Sequence, residues 1–250
     1  MKLSDVVVLV GAGVLAGTIG TAGGITSLVS YPALLAIGIA PLPANLANIV
    51  ALVACWPGSA TASRPELQGR GHWLRRWALV AAVGGAIGSG LLLSTPAGLF
   101  ARVVPFLVAG ASVGLLAQPW LYARHAQRIA HTNQLLLPAG LLLVAIYNGY
   151  FGAGSGIMLL ALLLLLAEQH LARANALKNM LVGAASVVSA VTFIVFTSVD
   201  WAAVLPLAAR MFVGSTLGPR IARRLPSGFL RWLVAMIGIG LAVWLWVRPT

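Results

Sequence analysis

The chain has 250 residues, 60% of them hydrophobic and only 8% charged, and its mean hydropathy is +0.97. Soluble domains carry about 25% charged residues, so the composition excludes an ordinary soluble fold and places most of the chain at membrane depth. The net charge of +12 does not indicate nucleic acid, because the arginines sit in short connections beside apolar spans, as the positive-inside rule expects, and no RNA- or DNA-binding motif accompanies them.

Apolar stretches occupy residues 6–29, 44–55, 77–93, 103–116, 135–167, 181–197, 202–217 and 229–247; about 20 apolar residues span a bilayer. The first stretch follows one lysine, lacks a small-residue cleavage site and outruns a signal h-region, so it reads as mature protein. The glycine-dense run Gly17-Thr-Ile-Gly-Thr-Ala-Gly-Gly24 interrupts it. Three short helical pieces are expected at 6–18, 25–37 and 44–56, followed by full spans at 77–93 and 99–121. A piece of about 13 residues reaches only about 20 Å, so the short pieces meet near the midplane or form a re-entrant hairpin. Pro32, Pro41 and Pro43 mark further bends, since proline removes a backbone donor. Cys55 is the only cysteine. That excludes an internal disulfide, a paired-thiol redox site and a cysteine-built metal centre; no metal or other cofactor is expected.

Beyond a basic connection at 122–131 the pattern returns, with a second glycine-dense run, Gly149-Tyr-Phe-Gly-Ala-Gly-Ser-Gly156. Ala44-Asn45 and Asn48 correspond to Ala174-Asn175 and Lys178, Gly84-x-x-x-Gly88 to Gly214-x-x-x-Gly218, and Pro96-Ala-Gly98 to Pro226-Ser-Gly228, all at an offset of about 130. The expected fold is therefore an all-α polytopic membrane protein with two internal repeats, 1–121 and 132–250, forming one transmembrane domain. Each repeat has three short or broken helices plus two full transmembrane helices, about 8–10 helical segments in total. Basic connections follow the third piece of repeat one (Arg64, Arg70, Arg75 and Arg76) but the fourth of repeat two (Arg220, Arg223, Arg224 and Arg231). If all face the cytoplasm, the repeats are inverted.

Two helix breaks at matching places in two repeats point to a transporter's substrate site. The chain's four acids, Asp5, Glu66, Glu168 and Asp200, all fall near span ends or in connections, which disfavours a cation site built from side-chain charge. A restarted helix offers free N–H groups and a positive dipole end, and glycine lets its backbone approach a ligand. Gly20, Thr21, Gly23 and Gly24 in repeat one, and Gly152, Gly154, Ser155 and Gly156 in repeat two, are the expected anion-binding residues, with Thr18, Thr26 and Ser27 as further hydroxyl donors. Lys178 and Arg210 supply positive charge at depth; Asn45, Asn48, Asn148, Asn175 and Asn179 supply amides. Gly84, Gly88, Gly214 and Gly218 are expected to pack helices closely.

These residues resemble a known family. Gly-x-x-Gly-Thr-x-Gly-Gly at 17–24, Tyr31-Pro32-Ala-Leu-Leu and Pro43-x-Asn45-x-x-Asn48, then the second glycine run with Ala174-Asn-Ala-Leu-Lys178-Asn179, and a closing stretch containing Ile221-Ala-Arg-Arg-Leu-Pro226, are similar to the sulfite exporter TauE/SafE family, also called toluene sulfonate uptake permeases. The resemblance covers nearly the whole chain, although repeat two lacks a counterpart of Pro32. It implies a bacterial or archaeal inner-membrane, multi-pass carrier for a small sulfur-containing anion such as sulfite, sulfoacetate or another organosulfonate, with the glycine, Asn and Lys positions lining the site.

The leading expectation is a secondary carrier working by alternating access. A passive anion channel is an alternative that the sequence does not separate from it. An intramembrane serine hydrolase built on Ser155 is the enzyme alternative, but Gly152-x-Gly154-x-Gly156 has glycine where a nucleophile elbow needs serine, so no catalytic residue is assigned. The expected partners are the anion and the lipid bilayer. Proton coupling, favoured by elimination, and a homo-oligomer stay open.

Overall fold

The computed structural model describes residues 3–125 and 136–222, with positions 236, 239–240, 243 and 246–247 beyond them. Expectations for 126–131, Arg223, Arg224, Pro226-Ser-Gly228, Arg231 and most of the 229–247 span lie outside the described residues. Within them the chain is all-helical: α1 Leu3–Gly23, α2 Thr26–Ala36, α3 Pro41–Leu52, α4 Cys55–Ala62, α5 Arg64–Leu67, α6 Gly71–Ser94, α7 Ala97–His125, α8 Leu136–Tyr150, α9 Ser155–Leu166, α10 Leu171–Phe196 and α11 Trp201–Ala222. Among the described residues, five segments are long and apolar enough to cross a membrane: Asp5–Gly23, Pro41–Ala62, Gly71–Ser94, Leu171–Phe196 and Trp201–Ile221.

Two expectations about the pieces are corrected. The first helix is not short: α1 stays helical through Gly17, Gly20 and Gly23 and spans 21 residues. The described helices also exceed the expected number, because the third piece divides. Pro41 opens α3, the chain kinks at residues 53–54, α4 follows, and Pro65 sits in the first turn of the short α5. The corresponding stretch of the second half is the single helix α10 of 26 residues, which has no internal proline.

Glycine decides how closely the helices pack. Gly13, Gly17, Gly214 and Gly218 let α1 lie against α11 backbone to backbone. A methyl on Gly13 would stand 2.9 Å from the Leu207 carbonyl oxygen, and one on Gly214 would stand 2.8 Å from Thr18 N. Gly84 and Gly88 do the same between α6 and α8, with the Leu142 carbonyl oxygen and Tyr150 N each 2.9 Å from such a methyl. Contacts advance together along each pair, from Gly13 with Leu207 to Gly218 with Thr21, and from Gly84 with Leu142 to Gly88 with Tyr150. Helices α1 and α11 are therefore parallel, and so are α6 and α8. Cys55 lies by Met211 and Gly58 by Ser215, so α4 shares the direction of α11. Trp56 meets Gly183 whereas Arg70, further along, meets Glu168, so α10 runs the other way. Arg70 precedes α6, Glu168 precedes α10, and Gly85 packs on Ala185, which makes α6 and α10 parallel. It follows that α1 and α8 enter the bundle from opposite sides.

Where α6 and α10 begin, Glu168 joins the two halves. Its side chain is buried and accepts from Arg70 Nη2 at 2.5 Å, from His170 N at 3.2 Å and from Arg173 Nη1 at 3.4 Å. Burial by itself would raise the carboxyl's pKa, but the His170 backbone and ring hydrogen bonds and the Arg173 contact outweigh it and hold the carboxyl below its ordinary value. A depressed folded-state value stabilises the protein above the unfolded carboxylate range, and that stability is lost as pH falls through the folded value. Glu168→Gln is expected to cost on the order of 2 kcal/mol near pH 7. The deficit in melting temperature should shrink below about pH 4; a deficit that stays the same from pH 7 to about pH 3 would remove the ionic explanation.

Candidate functional site

The first break is confined to Gly24 and Ile25. Gly24 has φ +85°, a left-handed conformation that disfavours a side chain, and α2 restarts at Thr26. The second break occupies residues 151–154, with Gly152 at φ +82° and Gly154 at φ +81°, and α9 restarts at Ser155. The two breaks touch. A methyl on Gly24 would lie 2.6 Å from the Gly156 carbonyl carbon, and one on Gly156 would lie 2.7 Å from Gly24 Cα. No side chain caps the N-terminus of α2 or α9; Ser155 N and Ile157 N donate to the Gly152 and Gly154 carbonyls and Leu28 N to that of Ile25, so the first-turn N–H groups left over are those of Thr26, Ser27 and Gly156, at two positive dipole ends that meet at one place.

A cavity of ≈ 40 Å³ lies there. One water needs about 10–15 Å³, so the space suits a few waters or one small oxyanion. Gly20, Thr21, Gly24, Asn148, Gly152, Ser155, Gly156 and Lys178 line it, together with Thr26, Ser27 and Asn179. The lining residues of α10 run from Lys178 to Ser186, near the middle of a helix that spans residues 171–196.

Lys178 is 1% exposed. Its Nζ donates to the Gly20 carbonyl at 3.3 Å, which leaves further N–H donors of the ammonium unused. Among the described residues it has no carboxylate partner; the ion pairs of Glu168 are with Arg70, His170 and Arg173. Among the described residues, no acid and no histidine lines the cavity. Ser155 Oγ lies 2.7 Å from both Asn148 Oδ1 and the Gly152 carbonyl oxygen, and Asn148 Nδ2 donates to Ser186 Oγ at 3.1 Å. These bonds fix the Asn148 amide and leave the Ser186 hydroxyl proton available to donate.

Seven expected residues are not part of the cavity lining; Thr18 is one, its hydroxyl donating to the Gly214 carbonyl at 3.2 Å. Asn175 and Asn179 Nδ2 donate to the Thr21 carbonyl at 2.9 and 3.0 Å; of these two only Asn179 also lines the cavity. Asn45 Nδ2 donates to the Tyr150 carbonyl at 2.9 Å, and Asn48 Oδ1 accepts from Ser30 Oγ at 2.5 Å. The physical reason is common to Asn45 and Asn175. A helix that ends inside hydrocarbon leaves carbonyls without partners at a cost of several kcal/mol each, and these amides satisfy the ends of α8 and α1. Gly23 faces open space, with nothing within 4 Å of an added methyl, while Gly154 packs on Ala111. Arg210 is exposed on α11; the buried stripe of that helix runs through Ala203, Val204, Leu207 and Met211 and leaves the arginine outside.

Sequence reasoning missed Trp56, Ser59, Gly183 and Ser186, which line the same cavity. A signal existed for two of them. Ser186 stands eight residues after Lys178 and Gly183 four after Asn179, spacings that place them on the same helix face.

The family model described as sulfite exporter TauE/SafE matches residues 7–245. The chain is 27% identical to the probable membrane transporter protein ORF9 of Sinorhizobium sp, over 96% of this chain and 91% of that protein. It is also 27% identical to the probable membrane transporter protein YfcA of Escherichia coli K12, over 89% of this chain and 82% of that protein. No solved structure matches. With spans long enough to cross a bilayer several times, the chain belongs to the sulfite exporter TauE/SafE family and is a multi-pass membrane transporter of the bacterial inner membrane.

Proposed function

We propose that the chain is a secondary carrier of a small sulfur-containing anion, such as sulfite, sulfoacetate or another organosulfonate, bound between the N-termini of α2 and α9 and beside Lys178. The observation that carries this is the buried Lys178 ammonium without a carboxylate partner, in a cavity lined by hydroxyls, amides and backbone N–H groups. An isolated buried cation is costly, by about 3 kcal/mol or more at membrane depth, and a bound anion removes that cost. The opposite entry of α1 and α8, with breaks that meet, supports alternating access between two inverted halves.

The test is thermal stabilisation of detergent-purified protein by sulfite, sulfate, thiosulfate and organosulfonates against chloride at matched ionic strength. A ligand at 100 times its Kd adds about 2.7 kcal/mol of apparent stability. If none of the panel exceeds chloride, the anion site is refuted. Counterflow of labelled ligand into preloaded liposomes then tests the carrier mechanism, since a passive channel gives none.

A further inference from the structure

Every described residue lining the cavity is buried or half-buried except Trp56, which is 38% exposed. Its side chain therefore belongs to the cavity wall and to the outer surface together. It sits at the seam between α4 and α10, on Gly183. A methyl on Gly183 would lie 2.5 Å from Trp56 Cγ and 3.0 Å from its Cβ, so the ring occupies this position only because residue 183 has no side chain. On its other side α4 is clamped to α11 through Gly58, where a methyl would lie 2.8 Å from the Phe212 carbonyl oxygen and 3.2 Å from Ser215 Cβ. The α4 backbone is held there, whereas the partly exposed Trp56 side chain can turn about its own bonds.

We propose that Trp56, seated on Gly183, is the size-selective gate of the cavity and restricts it to small oxyanions and short sulfonates, excluding sulfonates with bulky tails. The choice of substrate rests on the anion reading of the cavity; the gate itself does not. With the indole in place ≈ 40 Å³ is available, a few waters' worth, and an aryl or long alkyl tail needs the space the ring fills.

Cys55 is the only cysteine of the chain, is 6% exposed and lines the same cavity, so its modification reads the gate directly. The measurement is the rate of Cys55 labelling in the full-length purified protein by a small methanethiosulfonate and by a bulky fluorophore maleimide. In the wild type the bulky reagent should be at least about tenfold slower relative to the small one than it is in Trp56→Ala. Gly183→Val, which keeps the tryptophan but displaces its ring, should move the ratio in the same direction, and Trp56→Phe should stay near the wild type. A ratio unchanged in Trp56→Ala, with wild-type melting behaviour, overturns the gate; that variant decides alone if Gly183→Val does not fold. In the binding arm, toluenesulfonate should stabilise Trp56→Ala but not the wild type. If the labelling ratio shifts while neither protein is stabilised by any anion, the gate stands and the anion site falls.

Discussion

Lys178→Met is expected to abolish anion-dependent stabilisation while leaving the empty protein as stable as the wild type or more so. The two effects have different origins. Removing one partner of a buried charge interaction costs on the order of 3 kcal/mol of binding, a factor of about 10² in Kd, because the anion would then face only hydroxyls and backbone dipoles. The empty protein loses little in exchange. Lys178 donates one long hydrogen bond, to the Gly20 carbonyl, and that carbonyl also accepts from Gly24 N at 2.5 Å. Methionine keeps the apolar stem without a charge to desolvate, so the usual penalty for truncating a buried residue is offset. Melting curves with and without sulfite, joined to uptake into liposomes, separate the two effects. A variant that lost stability but kept its sulfite response would make Lys178 a structural group and move the site elsewhere.

The membrane class, the two breaks and Lys178 were legible because each rests on a property of residue type: apolar length, absence of a side chain, charge at depth. What the sequence left unread concerns direction. Gly17, Gly20 and Gly24 look alike in sequence, yet α1 stays helical through the first two and stops only at Gly24. The same missing Cβ serves helix packing at Gly17, which lies on the Met211 backbone, and a left-handed turn at Gly24, and nothing local tells the two uses apart. Asn45 and Asn175 were read as donors to a ligand; the carbonyls exposed by the breaks take them first. Arg210 shows the converse. Depth along a helix was readable, but which side of α11 faces the bundle depends on the α1 partner that packs there. Trp56 went unnoticed because an aromatic in an apolar span carries no mark of lining a cavity until Gly183 is brought against it.

The largest structural effect is expected where the breaks cross. Gly24→Ala must hold φ near +85°, which costs a residue with a side chain about 1–2 kcal/mol, and its methyl would stand 2.6 Å from the Gly156 backbone. Backbone cannot rotate aside as a side chain can, and such overpacking adds about 1–3 kcal/mol. A total on the order of 2–5 kcal/mol is a large part of the 5–15 kcal/mol that typically separates folded from unfolded protein. Gly156→Ala isolates the contact from the strain. Residue 156 is helical, so alanine there gains about 1 kcal/mol in propensity, and any net loss must come from the 2.7 Å approach to Gly24 Cα. Gly23→Ala is the control one residue away, where an added methyl meets nothing within 4 Å and helix propensity favours it. Monodispersity in detergent and melting temperature should therefore rank Gly23→Ala at or above the wild type, Gly156→Ala below it and Gly24→Ala lowest. The double substitution Gly24→Ala with Gly156→Ala should be less damaging than the sum of the two, because both methyls contest one crossing. Additive losses would mean that the breaks act independently, and the two helix N-termini would then not share a single anion.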